Sequence, residues 1–309
     1  MWPDLPRSAS VIDWSGVFHI LATPFTEDGA LDLAGVPRLV EAVLATGVRG
    51  LTILGIAGEA HRLTDDERRR MVEAVVKEAR GRAPVAVGVS APGTHLAAGY
   101  AATARDHGAA AVMVAPPAGA RNLDVVAEYY QVVARAAGLP LVLQDEPVTT
   151  QVQMPPAFLA RLIDELPTVE AVKLEEAPTP PKITRLHALA ARRVPIFGGL
   201  GGVYFFEELS RGAAGAMTGF PYPEALRDIH AHFVAGRRAE ARALFYRWLP
   251  LIRYESQPGA VPGTALAIRK EILRRRGWLA SARVRPPAAA LDAATLEELT
   301  EILTAVVRE

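Results

Sequence analysis

Lys173 is the residue of this chain whose position promises covalent chemistry. It stands in Thr168–Ala177 (TVEAVKLEEA), near the C-terminal end of an apolar run made by Val169, Ala171, Val172 and Leu174. The run reads as a buried strand, and burial disfavours the charged ammonium, which lowers the amine pKa. A neutral amine is the nucleophile that forms a Schiff base with a keto acid. A strand-end lysine can equally snorkel to water or pair with Glu175 or Glu176, just beyond Leu174. Glu175 falls on the lysine's side of a strand by the two-residue period, where it would orient or pair with the amine.

Three other stretches carry the right residue types. Leu54–Glu59 (LGIAGE) has glycines three apart, Gly55 and Gly58. That spacing allows a tight turn whose N–H groups face a carboxylate, and equally an ordinary strand-to-helix turn. Leu143–Pro147 (LQDEP) is polar for the end of an apolar run, and Glu146 would point with Gln144 if the strand continued that far. Phe197–Gly202 (FGGLGG) leaves room for a ligand or for a close helix. His61 is either a residue of the same mouth or a solvated loop histidine. Asp145, Glu146 and Glu175 form an oxygen-rich trio of the kind that binds Mg²⁺. That reading is second to the Schiff base, because it leaves Lys173 without a role.

Short β-like and helix-like runs alternate from Gly16. The strands are expected at 16–22, 50–54, 85–89, 110–115, 140–143, around Lys173, 195–197 and 213–218. Each is followed by a helical stretch, and the second helix opens on a capping box, Thr64 to Glu67. Most strands are continuously apolar, as parallel strands covered on both faces are. Eight such units predict a (β/α)₈ barrel over residues 1–235, with chemistry at the C-terminal ends of its strands. An open doubly wound sheet would need a glycine-rich phosphate turn after the first strand, and Ala22–Phe25 (ATPF) is not one. Beyond residue 236 only helices are expected, a C-terminal extension to residue 309. Within it Arg269–Arg276 reads as the solvated face of a helix.

The composition narrows the partners. The 309 residues are half hydrophobic and carry 34 basic and 34 acidic side chains, so no electrostatic pull toward nucleic acid or an anionic membrane is expected. The chain has no cysteine, which removes thiolate metal sites and cysteine nucleophiles. Met1–Ser10 lacks the profile of a secretory leader, and no run reaches the roughly 18 apolar residues of a membrane span. A cytoplasmic protein without a cofactor is the expectation.

Taken together, Thr23–Phe25, Gly55–Glu59 with Leu63, Thr64 and Glu67, then Pro147, Lys173 and Gly199, resemble the dihydrodipicolinate synthase / N-acetylneuraminate lyase family of pyruvate-handling class I aldolases. The resemblance runs from Gly16 to the C-terminal helices. It implies Lys173 as the Schiff-base residue, the Gly55–Glu59 turn as the keto-acid carboxylate site, no cofactor, and a homotetramer or homodimer. The chain departs from the family where side chains read the substrate. Ile56 and Ala57 replace a pair of threonines, Gln144 a proton-transferring tyrosine, and Thr149 stands near the position at which the family has a carboxylate-binding arginine. Pro117 and Ala118 stand where paired tyrosines are expected. The candidate set is therefore Lys173 and Glu146 as catalytic residues, with Gly55, Ile56, Ala57, Gln144, Gly199 and Met217 around the substrate. The function expected is an aldolase or dehydratase acting on pyruvate or a 2-keto-3-deoxy acid. A metal-dependent aldolase and a keto-acid binder without turnover are the other readings.

Overall fold

The structure, a computed structural model, describes residues 12–256 and 264–307; the Met1–Ser10 stretch lies outside them. Its first half alternates β1 (Gly16–Ile20), α1 (Val36–Ala45), β2 (Gly50–Ile53), α2 (Asp65–Ala79), β3 (Val85–Gly88), α3 (Thr94–Asp106), β4 (Ala111–Val114) and α4 (Leu123–Ala137). Next come β5 (Leu141–Asp145), a short α5 (Pro147–Thr150), α6 (Pro156–Glu165), β6 (Val169–Leu174), α7 (Thr179–Leu189), β7 (Ile196–Gly198), α8 (Phe205–Ser210), β8 (Gly215–Thr218) and α9 (Pro223–Val234). The eight strands are parallel and close in sequence order, β8 pairing back onto β1 through Gly16 opposite Gly215. This is the predicted (β/α)₈ barrel, followed by the helices α10 (Arg238–Ser256), α11 (Thr264–Arg275) and α12 (Ala293–Val306).

The strand alternation sorts side chains into two cores. Phe18, Ile20, Met113, Val142, Ala171, Phe197 and Met217 fill the inside of the barrel, and their sequence neighbours pack outward under the helices. Trp14 closes the N-terminal end, stacking on Phe18 at 5.0 Å between centroids and donating its indole N–H to Glu170 Oε2 at 3.1 Å. With that end plugged, the C-terminal end is left for a ligand. Emptying the plug at Phe197, which is fully buried, is the kind of change that costs about 3–5 kcal/mol.

Two expectations are corrected. β5 runs two residues further than its apolar stretch, because Gln144 and Asp145 each find a buried polar partner. The Arg269–Arg276 stretch is a solvated face only in its second half, where Arg274 and Arg275 are exposed. Arg269 and Lys270 are buried, Arg269 Nε bonding Glu255 Oε1 at 2.5 Å and Lys270 Nζ lying 2.5 Å from Glu59 Oε1. Charge runs are usually solvated, but here the first half of the run is the seam that joins α11 to α10 and to the Gly55–Glu59 turn. Removing one partner of a buried pair typically costs about 3–5 kcal/mol. Among the described residues no helix is long and apolar enough to cross a membrane.

Candidate active site

Adjacent strands bring the two central side chains together. Gln144 on β5 stands in register with Lys173 on β6, and both follow inward-facing residues, Val142 and Ala171, by two positions. Both are buried. Glu175, just past the end of β6, lies across from them. Its Oε2 is 2.9 Å from Lys173 Nζ and accepts the Gln144 Nε2 hydrogen at 2.8 Å. Its Oε1 accepts a longer bond from Leu200 N at 3.4 Å. One carboxylate oxygen thus ties the lysine to the glutamine.

Gly199 makes that arrangement possible. A Cβ there would lie 2.5 Å from Glu175 Cδ and closer still to Cγ and Oε1. The neighbouring Gly198 does the same on the outer face, where a Cβ would fall 2.7 Å from Glu208 Oε1 and nearer to Oε2. Glu208 accepts the Thr179 hydroxyl at 2.5 Å, and burial pushes its carboxyl up to about 8. The glycines after the seventh strand therefore make room for two carboxyl groups rather than for a ligand alone.

Of the two acids weighed as partners of Lys173, Glu175 takes the place and Glu176 turns away to Lys182. Glu146 does not continue the strand beside Gln144. It caps α5, its oxygens accepting Thr149 N at 3.0 and 3.2 Å. Burial first, and the charge of Glu175 second, raise its carboxyl to about 7. The trio proposed for Mg²⁺ does not converge, because Asp145 faces outward onto Lys182 Nζ at 2.6 Å. Among the described residues no group of three or more potential ligands is set to hold a metal.

The Gly55–Glu59 stretch folds as a tight 3-10 turn over Ile56–Gly58. The amides of Gly58, Glu59 and Ala60 bond back to Gly55 and Ile56, which leaves those of Ile56 and Ala57 outside the turn's own bonds. Thr23 secures the turn, its hydroxyl donating to Gly58 O at 2.5 Å. Glu59, in a left-handed conformation at φ 55°, is withdrawn from the mouth: Arg62 Nη1 bonds it at 2.9 Å and Arg285 N at 3.0 Å. A cavity of about 380 Å³ lies at the mouth, lined by Gly55, Ile56, His61, Arg68, Gln144 and Thr149 among others. Ile56 is exposed in it, and Ala57 packs on the inner core with Met217 close below the mouth. A larger hollow of about 480 Å³ between α2 and α3 shares Arg68 and Tyr100 with it but not Gln144, and Lys173, buried behind Gln144, lines neither.

Of the sequence candidates, Lys173, Gln144 and Gly199 meet around Glu175, Gly55 and Ile56 share the cavity with Gln144, and Glu146 reaches them electrostatically. Two residues were missed. Lys182 lies in a proline-rich helix start and Glu208 beside Glu207 on a six-residue helix, and neither carries a local signal that sets it apart.

The sequence profile of the dihydrodipicolinate synthetase family matches residues 13–306. The chain is 32% identical over 300 residues to the L-2-keto-3-deoxyarabonate dehydratase of Azospirillum brasilense, covering 96% of this chain and 95% of that one. It is 32% identical over 301 residues to the 4-hydroxy-tetrahydrodipicolinate synthase of Sorangium cellulosum, covering 95% and 96%. The crystal structure of dihydrodipicolinate synthase from Rhodopseudomonas palustris superposes with a TM-score of 0.89 at 37% identity, over 94% of this chain and 97% of that one.

Proposed function

The chain belongs to the dihydrodipicolinate synthetase family, and we propose that within it the protein is a cytoplasmic lyase that forms an imine between Lys173 and a 2-keto-3-deoxy acid and removes water from it. The observation that carries the reading is the Glu175 carboxylate set between Lys173 Nζ and Gln144 Nε2 at 2.9 and 2.8 Å.

Imine formation needs the amine without its proton, and Glu175 is placed to receive it. Attack of Nζ on C2 and loss of the carbonyl oxygen as water give the imine. The imine is an electron sink, so a proton leaves C3 to a base and an enamine forms. The enamine expels the C4 hydroxyl, which departs as water once an acid protonates it, and hydrolysis of the conjugated imine frees Lys173. The reaction asks for one carboxylate and one carboxylic acid near neutrality. Glu175, ion-paired, suits the first role, and Glu146, raised to about 7, suits the second. The amides of Ile56 and Ala57, outside the turn's own bonds, are the donors assigned to the substrate carboxylate. Gln144 cannot shuttle a proton, only hydrogen-bond, so it serves to hold Glu175 and a substrate hydroxyl.

The name of the Azospirillum relative supports dehydration over condensation. So does the replacement of the threonine pair and tyrosine by Ile56, Ala57 and Gln144, which removes the hydroxyls a synthase-type site would use. The test is borohydride reduction with pyruvate and with five- and six-carbon 2-keto-3-deoxy acids, followed by peptide mass analysis. An adduct on Lys173, and loss of water from the longer acids at turnover, are expected. Label on another lysine, or on none, refutes the imine; cleavage to pyruvate without dehydration refutes the dehydratase.

A further inference from the structure

The ends of β5 and β6 carry two polar pairs back to back. Gln144 and Glu175 face the mouth, while the residues that follow each of them, Asp145 and Glu176, face the helices. Lys182, at the end of the first turn of α7, bonds both outer carboxylates, Asp145 Oδ2 at 2.6 Å and Glu176 Oε2 by a shorter contact. Asp145 is fully buried and Lys182 nearly so. Between the two faces the backbone continues the ladder, Glu175 N donating to Asp145 O at 2.8 Å. We propose that Lys182 is a positioning residue, an external clip that joins the two strand ends and so sets the distance between Gln144 and Glu175 on the inside.

The coupling is one of covalent neighbours. Asp145 cannot move without Gln144, nor Glu176 without Glu175. Without the ammonium, Asp145 would be a buried carboxylate facing Glu176, Glu175 and the Tyr130 ring, with one oxygen already unpartnered. Such a charge either takes up a proton or draws its strand end toward water. Burial already raises Asp145 to about 6 despite the lysine. A shift of the strand end by about an ångström breaks a 2.8 Å hydrogen bond, and the glutamine then no longer holds Glu175 on the lysine. A lysine doing no more than adding stability would leave that inner contact unchanged when removed.

The kinetic half of this inference rests on the proposed roles of Lys173 and Glu175; the geometric half does not. The test is therefore two measurements on Lys182→Met and Lys182→Arg. In the crystal structure of Lys182→Met, the Gln144 Nε2 to Glu175 Oε2 separation should open beyond 3.5 Å, and in Lys182→Arg it should stay bonded. In turnover, Lys182→Met should lower kcat by about 10–100-fold, the scale of a misplacement near 1 Å, with KM within about threefold, and Lys182→Arg should recover most of the loss. Asp145→Asn severs the same charge link with an isosteric group and gives the same readouts if Lys182→Met fails to fold. An unchanged inner contact in Lys182→Met overturns the clip, as does a kcat within twofold of wild type. If the wild type traps no keto acid, the functional reading falls and the crystallographic comparison still decides the clip.

Discussion

Gly199→Ala puts the site under the most direct stress. The new Cβ would stand 2.5 Å from Glu175 Cδ and closer to Cγ and Oε1, whereas carbon atoms rest at about 3.5–4.0 Å. The carboxylate must therefore move by about 1–1.5 Å, more than its bonds to Gln144 at 2.8 Å and Lys173 at 2.9 Å tolerate. A hydrogen bond to a charged group contributes about 1.5–3 kcal/mol, and overpacking costs about 1–3 kcal/mol. Water in the adjoining mouth offsets part of the first, so a net destabilisation of about 2 kcal/mol is expected. The effect on chemistry is larger. A displaced proton carrier lowers turnover by about 10²-fold or more, and borohydride trapping on Lys173 slows with it, because Glu175 no longer receives the ammonium proton. Gly198→Ala is the control, since its Cβ strikes Glu208 on the outer face and should lower the melting temperature with less effect on turnover. Turnover of Gly199→Ala within threefold of wild type would refute the role given to Glu175. Trapping at the wild-type rate would confine that role to the steps after imine formation.

Glu146→Gln should keep imine trapping and lose about 10²-fold or more in turnover; full activity would exclude Glu146 as the acid and leave Glu175 or water. Glu208→Gln tests the buried outer acid through pH. Its folded carboxyl is raised from 4.5 to about 8 by burial, so folding is fully supported below 4.5 and weakens as pH rises toward 8. The melting temperature of Glu208→Gln relative to wild type should therefore climb across that window, and a pH-independent difference would show that Glu208 ionises normally. Self-association into a tetramer or dimer is proposed from the family resemblance, and light scattering showing only monomer at micromolar concentration would rule it out.

The barrel was legible because its signal is repeated and local. Eight apolar runs between amphipathic stretches admit few other folds, and each helix start or strand is set by near neighbours, as in the Thr64–Glu67 cap. Lys173, the lysine proposed to form the imine, was legible for the same reason, a cation inside an apolar run. Glu175 was half legible. The two-residue period put it on the side of Lys173, but nothing in the sequence ranked it above Glu146. That ranking depended on where β5 stops, and a strand's end is decided by partners on other elements.

By itself, then, the sequence determined the fold class, the strand that carries Lys173 and the turn at Gly55. These follow from periodicity, capping and backbone freedom within a dozen residues. Only the tertiary structure decided which way the acids face. Asp145 and Glu176 turn outward because Lys182 of α7 meets them there, and Glu175 turns inward because Gly199 vacates its space. Lys270 and Arg269 are buried because their carboxylates, Glu59 and Glu255, come from distant parts of the chain. A charged residue in isolation prefers water. Its burial is favourable only when a partner of opposite charge arrives through the fold, and that arrival has no local trace.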